Sequence, residues 1–244
     1  LMIETMAKKL EEASLLPAKI VKSQVFGKQF HTICSGGAYL DPKYIDLFKK
    51  YDIVIQQGYG MTECAPVISV NQSWNIRSDS VGQLLPNCEA KTVDGELWVK
   101  GSSVMQGYYK MPEETAETLE DGWLKTGDLG YVDEDGFVYL TGRKKNLIIT
   151  KNGENVSPEE LENALSTNRL VGEILVREKD GVIEAEIYPD QDYVKKKRIK
   201  DVREKLQEII DEYNKTAAPQ KRIYSLIVRD KEFEKTTTRK IKRF

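Results

Sequence analysis

The sequence has few cysteines, and their spacing fits no cysteine-based site. Cys34, Cys64 and Cys88 have neither the spacing of a zinc motif nor that of a disulfide framework. Disulfides persist mainly in oxidising compartments, so three unpatterned cysteines are typical of reduced thiols. The cysteine pattern therefore predicts a cytoplasmic protein.

The sequence also lacks a charge excess and a long apolar run. Lys and Arg number 37 and Asp and Glu number 39, so no overall positive field indicates a nucleic-acid partner. No apolar run approaches the roughly 20 residues of a membrane-spanning helix. Residues 1–12 carry lysines and glutamates at helical spacing, which differs from a secretory signal. Composition therefore argues against nucleic-acid binding and against a membrane span.

A glycine-rich stretch from Asp121 to Glu160 divides the chain. It has a glycine every few residues and an Arg-Lys-Lys-Asn break in its middle. The chain has 244 residues, 40% of them hydrophobic, which suffices for one large or two small cores. The pattern predicts one domain over residues 1–141, a second over residues 142–244, and a hinge near residues 143–146.

The beginning of the first domain has an α/β pattern. A helical apolar period that includes Ala13 covers residues 2–13. Short apolar runs at residues 30–34 and 53–55 predict two buried strands. Between them, Asp41-Pro42 predicts a helix start, because a capping residue is followed by proline at the first helical position.

The rest of the first domain changes character. Asp94-Gly95 is a strong signal for a two-residue hairpin turn. Short strands are predicted to continue through residues 107–109 and 137–140, with a small helix after Pro112. This pattern is typical of a small twisted β-barrel or sheet.

Two glycine motifs follow the two buried strands. Ser35-Gly36-Gly37-Ala38 comes after the first strand, and a loop over residues 56–63 comes after the second. Ligands of open α/β sheets lie at the carboxyl ends of strands, where both motifs fall. Tyr59 offers a flat face, Thr62 a hydroxyl and Glu63 a hard oxygen ligand. The pattern alone leaves both a nucleotide site and ordinary turns open.

The second domain is predicted to be a compact α+β unit. Ser157-Pro158 begins a helix with a glutamate in the capping-box position. Residues 174–176 and 182–188 form paired strands, and residues 192–214 form one charged amphipathic helix. A last strand over residues 223–228 precedes a basic terminal segment.

Three motifs and a terminal lysine occur in a fixed order: Gly58-Tyr59-Gly60-Met61-Thr62-Glu63, Thr126-Gly127-Asp128, Gly142-Arg143-Lys144-Lys145, and Lys240 in a Lys-Thr-Thr-Thr-Arg-Lys-Ile-Lys-Arg segment. Together they resemble the acyl-adenylate-forming superfamily, which comprises acyl-CoA synthetases, luciferases and the adenylation domains of peptide synthetases. Within it, the sequence looks most like the C-terminal portion of a bacterial long-chain fatty-acid–CoA ligase. The resemblance covers essentially the whole chain, and the motifs are specific jointly.

The resemblance implies a fold and a reaction. The fold would be the C-terminal part of a large α/β plus β-barrel domain, followed by a small, mobile α+β domain. In the first half-reaction, a carboxylate attacks the α-phosphate of ATP, which gives acyl-AMP and pyrophosphate. In the second, the thiol of coenzyme A attacks acyl-AMP, which gives a thioester and AMP. Fatty acid, ATP, coenzyme A and Mg²⁺ are therefore the expected substrates and cofactors.

The resemblance also implies roles for residues of the first domain and for Arg143 at the hinge. Thr62 would hold the α-phosphate, Glu63 would bind Mg²⁺, and Asp128 would accept hydrogen bonds from the ribose hydroxyls. Arg143 would reach the ribose or the phosphate. The adenine slot, with Tyr59 stacked on the base, would be formed by Ser35, Gly36, Gly37, Ala38, Gly58, Tyr59 and Gly60.

Three further roles concern the second domain. Lys240 would be the adenylation lysine, whose charge offsets the negative charge gathering at the α-phosphate. The small domain would rotate about Lys145 between the half-reactions. Gly153 would then line the tunnel for the pantetheine of coenzyme A. Without the resemblance, Lys240 is better explained as part of a disordered basic tail.

The sequence departs from the family pattern in two ways. Glu234 and Arg239 stand where a proline and a glycine are common in the terminal motif. No segment matches the Ser/Thr/Gly-rich phosphate loop with its own lysine. The chain is therefore expected to be part of a longer enzyme, inactive alone and prone to self-association, and its parent to be a candidate for peripheral membrane contact. The alternatives are another adenylating enzyme, specific for an aryl or amino acid, and a non-catalytic nucleotide-binding module.

Overall fold

The computed structural model describes residues 2–12, 17–236 and 240–243. Ala13, the threonines and arginine at positions 237–239, and Phe244 lie outside these residues. The chain forms two compact units, Leu1–Leu140 and Thr141–Phe244, which divide one residue before the predicted boundary. No helix in the described ranges is both long and apolar enough to cross a membrane.

The first unit begins with a four-stranded mixed sheet covered by helices. The strands are ordered β1-β2-β3-β4, with β1 and β2 parallel and the later pairs antiparallel. Leu10, Phe48, Ile53 and Ile55 are fully buried between the helices and the sheet. The elements are α1 (Met2–Glu12), α2 (Ala18–Val25), β1 (Thr32–Gly36), α3 (Pro42–Lys49), β2 (Val54–Gly60), β3 (Val67–Val70) and β4 (Gln83–Leu84).

The predicted start of α3 is confirmed, but the predicted ends of both strands are wrong. The Asp41 carboxylate accepts a 3.0 Å hydrogen bond from the backbone nitrogen of Lys43 and caps the helix. In contrast, β1 runs on to Gly36 and β2 to Gly60, so that residues 35–36 of the first glycine motif and 56–60 of the second are strand. Glycine weakens isolated strands, but here it allows the neighbouring backbones to come close.

A five-stranded half-barrel completes the first unit. Its order is β5-β6-β8-β7, and β9 also pairs with β8. The predicted hairpin is confirmed, with φ of 51° at Asp94 and 81° at Gly95, as a primed turn requires. Residues 107–109 are not a strand, since Tyr108 makes only an isolated bridge with Met111. The elements are β5 (Cys88–Val93), β6 (Glu96–Gly101), α4 (Pro112–Thr118), β7 (Leu119–Glu120), β8 (Trp123–Val132) and β9 (Val138–Arg143).

The second unit has a three-stranded sheet with helices packed against it. The order is β12-β13-β14, with β12 antiparallel and β14 parallel to β13. Leu161, Ile187, Leu206 and Ile210 lie in its core. The elements are β10 (Ile148–Ile149), β11 (Asn155–Val156), α5 (Pro158–Ser166), β12 (Val171–Lys179), β13 (Val182–Pro189), α6 (Gln191–Lys197), α7 (Val202–Thr216) and β14 (Ser225–Val228).

Two helix predictions in this unit are corrected. Residues 192–214 do not form one helix, because Arg198 takes a left-handed conformation with φ of 52° and ends α6. A new helix, α7, begins after Asp201, whose carboxylate accepts a 2.8 Å bond from the backbone nitrogen of Glu204. Ser157 makes no capping bond to the start of α5, since its hydroxyl donates to Glu159 instead.

Candidate nucleotide-binding site

The two glycine motifs lie side by side at the carboxyl ends of adjacent parallel strands. Gly36 pairs with Gly58 and Ser35 pairs with Gln57 in the β1–β2 register. A Cβ atom at Gly60 would lie 1.8 Å from the carbonyl oxygen of Pro66, so no side chain fits there. Residues 36–38 are exposed, which leaves backbone open to a ligand at this edge.

A buried amide also lies at this edge. Gln57 is 6% exposed, and its side-chain oxygen has no hydrogen-bond partner among the described residues. A buried carbonyl oxygen without a donor carries a desolvation cost.

Tyr59 and Asp128 form a buried pair between the sheet and the half-barrel. The Tyr59 hydroxyl donates a 2.7 Å hydrogen bond to Oδ2 of Asp128. Tyr59 is 9% exposed and Asp128 is 5% exposed. Stacking of the Tyr59 ring on a base stays a prediction. The Tyr59 hydroxyl contacts the carboxylate that is predicted to bind ribose.

Asp128 lies in β8 where its pairing with β6 is irregular, and two further side chains form hydrogen bonds to the backbone there. The β6–β8 register shifts between Glu96 and Trp98. Glu96 Oε1 accepts a 2.9 Å bond from the Gly127 nitrogen, and the Thr126 hydroxyl donates to the Leu97 carbonyl at 2.6 Å. Thr126 Oγ1 also accepts from the Asp128 nitrogen at 3.1 Å. Sequence reasoning missed Glu96, although a glutamate in a buried strand position was a signal for it.

Thr62 and Glu63 stand together on a short 3₁₀ helix just beyond β2. Thr62 is exposed and Glu63 is half-buried. The Tyr108 hydroxyl donates a 2.8 Å bond to Glu63 Oε1, and the Met105 nitrogen donates to the Glu63 carbonyl at 2.8 Å. The bond to Glu63 raises the pKa of Tyr108 above its usual value, and burial adds to the rise. Sequence reasoning missed Tyr108, which lies 45 residues away.

This turn fits the use of Mg²⁺ with a nucleotide. Mg²⁺ is commonly held by one or two carboxylates together with substrate phosphates and water. Glu63 supplies a carboxylate whose orientation is fixed, and the exposed Thr62 hydroxyl is its neighbour in the chain. The described residues contain no preformed cluster of three or more metal-ligating side chains.

The remaining predicted site residues belong to the second unit or its border. Arg143 ends β9 and is exposed, and Lys145 is exposed within a 3₁₀ helix over Lys144–Asn146. Gly153 has φ of 79°, and a Cβ atom there would meet open space. In this conformation, the left-handed backbone itself favours glycine.

Lys240 is exposed at the base of a terminal hairpin. The Thr236 nitrogen donates to the Lys240 carbonyl at 2.8 Å, and the Lys240 nitrogen donates to Thr236 Oγ1 at 3.1 Å. A further bond joins the Lys242 nitrogen to the Glu234 carbonyl at 2.8 Å. The backbone of Lys240 is therefore held by hydrogen bonds to Thr236.

The half-barrel, the glycine-lined strand ends and these motifs are those of the AMP-binding enzyme family, and the chain belongs to this family. A family model described as AMP-binding enzyme matches residues 2–109. A second, described as AMP-binding enzyme C-terminal domain, matches residues 145–244. The two matches together account for most of the chain and confirm the resemblance that the motifs predicted.

Individual relatives extend this result. The chain is 39% identical over 143 residues to a long-chain-fatty-acid–CoA ligase of Mycobacterium bovis, covering 58% of this chain and 24% of the relative. It is 43% identical over 165 residues to a 4-coumarate–CoA ligase-like protein of Oryza sativa, covering 61% and 30%. The chain thus spans less than a third of the length of these curated relatives.

The fold resembles solved adenylate-forming enzymes. An o-succinylbenzoate–CoA synthetase of Bacillus subtilis, in complex with its acyl-adenylate, matches with a TM-score of 0.74 and 26% identity. That match covers 91% of this chain and 48% of the synthetase. The same synthetase has been solved with ATP and a magnesium ion, and this form matches with a TM-score of 0.73.

Proposed function

We propose that this chain is the C-terminal portion of a cytoplasmic, ATP- and Mg²⁺-dependent ligase that joins long-chain fatty acids to coenzyme A. The observation that carries the proposal is the arrangement of Tyr59, Asp128 and Glu63 around the glycine-lined strand ends. Long-chain-fatty-acid–CoA ligases among the curated relatives support the choice of acid.

In this proposal, the first unit holds the nucleotide. The backbone of residues 35–38 and 58–60 receives adenine, and Asp128 accepts hydrogen bonds from the ribose hydroxyls. Thr62 donates to the α-phosphate, while Glu63 holds Mg²⁺, which offsets charge on the departing pyrophosphate. Arg143, a permanent cation, contacts the ribose or the phosphate.

The second unit supplies the groups that distinguish the half-reactions. Lys240 places its charge near the carboxylate and the α-phosphate during acyl-AMP formation, where a preorganised cation stabilises the transition state. Rotation about Lys145 then withdraws Lys240 and brings the Gly153 loop to the path of the coenzyme A thiol. Domain closures of this kind occur on microsecond to millisecond timescales.

An aryl-acid–CoA ligase is the second candidate. The 4-coumarate–CoA ligase-like relative is 43% identical, and solved neighbours include o-succinylbenzoate– and anthranilate–CoA ligases. Comparison of palmitate with 4-coumarate as the acid separates the two candidates. A strong preference for 4-coumarate moves the assignment to the aryl-acid class.

Lys240→Ala in the longer enzyme that contains this chain tests the proposal. We expect acyl-AMP formation, measured by pyrophosphate exchange, to fall by about 10²–10³-fold. Thioester formation from supplied acyl-AMP changes little, because Lys240 has left the site by then. Lys242→Ala, two positions along the same segment, serves as the control. Equal losses in both half-reactions would contradict the assigned role.

A further inference from the structure

The hairpin that carries Lys240 is anchored to the second unit on both sides. We use the name terminal hairpin for residues 234–236 and 240–242, whose strands are joined by the Lys235–Ile241 bridge. The outgoing strand of this hairpin follows Phe233. The other strand runs on to Arg243, so the position of Lys240 depends on what holds each side.

Glu173 on β12 anchors the outgoing strand. Its Oε2 accepts a 2.8 Å hydrogen bond from the Phe233 nitrogen, and its other oxygen pairs with the Lys235 ammonium group. Phe233 is 7% exposed, and the Arg229 guanidinium lies over its ring at 4.3 Å from the centroid. The outgoing strand is therefore fixed by a buried ring and by a carboxylate with two partners.

Arg243 anchors the returning strand. Its guanidinium donates to both oxygens of Glu162 on α5, at 3.0 and 2.6 Å. It also lies 3.3 Å from Glu159 Oε1. The side chains of Arg243 and Glu162 are 19% and 12% exposed. Burial raises the pKa of Glu162, and Arg243 opposes that rise.

The same carboxylates connect this anchor to the segment predicted to be the hinge. Glu159 Oε1 accepts from the side-chain amide of Asn146, which ends the 3₁₀ helix that contains Lys145. Glu159 Oε2 accepts from the Ser157 hydroxyl at 3.1 Å. Glu162 is held in turn by the Val176 nitrogen at 2.7 Å. One end of α5 thus contacts both the hinge segment and the residue after the terminal hairpin.

We propose that Arg243, clamped by Glu162 and Glu159, is a positioning residue that fixes Lys240 for acyl-AMP formation. A bidentate arginine–carboxylate pair fixes direction as well as distance, which a single ammonium group does not. Misplacement of a catalytic group by about 1 Å can cost on the order of 10²-fold in rate. The inference rests on the proposed role of Lys240.

A structural test uses the 244-residue chain itself. In Arg243→Gln, we expect backbone amide exchange in the terminal hairpin to rise at least tenfold, while exchange in β12 and β13 stays unchanged. Lys242→Gln removes one charge from the same strand and is the matched control, because its partner Glu234 lies 3.7 Å away at the surface. Unchanged hairpin exchange in Arg243→Gln overturns the anchor.

A functional test uses the longer enzyme and its two half-reactions. Arg243→Gln should lower the kcat of pyrophosphate exchange by about 10- to 100-fold, with little change in the KM for ATP. Thioester formation from supplied acyl-AMP should stay within about twofold of the parent rate, since a positioning effect on Lys240 is confined to the first half-reaction. Arg243→Lys should restore only part of the loss.

The decisive comparison is made in the absence of Lys240. If Arg243 acts through Lys240, Arg243→Gln causes no further loss of adenylation in a Lys240→Ala background. A full additional loss there overturns the inference, because it shows an effect independent of the lysine. If Lys240→Ala itself fails to impair adenylation selectively, the proposed function fails and the inference with it. If Lys240→Ala impairs adenylation selectively but Arg243→Gln leaves it unchanged, the proposed function stands and only the positioning role of Arg243 is refuted.

Discussion

Tyr108 shows how a residue outside the recognised motifs contributes to the site. Its hydroxyl donates to Glu63, the side chain proposed to hold Mg²⁺, at 2.8 Å. Groups that hydrogen-bond to a metal ligand fix its orientation, and their loss typically weakens metal binding by about 10–100-fold. Tyr109, the next residue, is 85% exposed. A comparison of substitutions at the two adjacent tyrosines therefore tests whether Tyr108 orients the Glu63 carboxylate.

Tyr108→Phe should raise the Mg²⁺ concentration needed for half-maximal acyl-AMP formation by about tenfold. The ring keeps its packing, but Glu63 loses the donor that orients it. The measurement is the Mg²⁺ dependence of pyrophosphate exchange in the longer enzyme. Tyr109→Phe is the control and should leave that dependence unchanged. Equal behaviour of the two variants would refute a role of Tyr108 in orienting the ligand.

At the scale of the element, the sequence predicted the features that depend on neighbouring residues. It did not predict those that depend on contacts between distant strands. The helix start at Asp41-Pro42 was predictable because the capping hydrogen bond lies within a few residues. The hairpin at Asp94-Gly95 was predictable because it depends on the dihedral angles of these two residues. The extension of β2 to Gly60 was not, because it depends on pairing with β3. Glycine has low strand propensity, and only the neighbouring backbone makes it favourable there.

The same distinction applies to the candidate site. Thr62, Glu63 and Asp128 were predicted to be site residues because they lie within recognisable motifs. Glu96 bonds to Gly127 across 31 residues, so its place in a buried strand was a local signal but its partner was not predictable from nearby residues. The break at Arg198 had a local signal, namely Asp201 three residues before Glu204, but the continuous apolar period across it favoured one helix.

Arg198→Gly should stabilise the second unit by about 0.5–1 kcal/mol. Arg198 has φ of 52°, a conformation that costs a side-chain-bearing residue roughly 1–2 kcal/mol. The greater freedom of glycine in the unfolded chain offsets part of that gain. Urea unfolding followed by far-ultraviolet circular dichroism measures the change. Lys196→Gly, inside α6, is the control and should lower the free energy of unfolding by about 0.5–1 kcal/mol. A loss of stability in Arg198→Gly would show that the side chain contributes more than the backbone strain costs.

At the scale of the whole molecule, the chain contains some of the groups that the proposed function requires but not others. In the proposed function, Thr62, Glu63 and Asp128 contact the α-phosphate side and the ribose, and Lys240 lies on the terminal hairpin. No Ser/Thr/Gly-rich phosphate loop occurs in the sequence, and the chain spans 48% of the synthetase whose complex with an acyl-adenylate it resembles. Groups that hold the β- and γ-phosphates are therefore expected on other parts of the enzyme.

This chain alone is expected to make no acyl-CoA from ATP, palmitate and coenzyme A. Phosphoryl and adenylyl transfer depend on positioning and on charge stabilisation around all the phosphates, and without the phosphate loop pyrophosphate cannot be held in line as it leaves. Thioester formation with both the 244-residue chain and a longer enzyme that carries the loop is the measurement. The longer enzyme, assayed in parallel, shows that the reagents are competent. Clear turnover by the chain alone would refute this expectation.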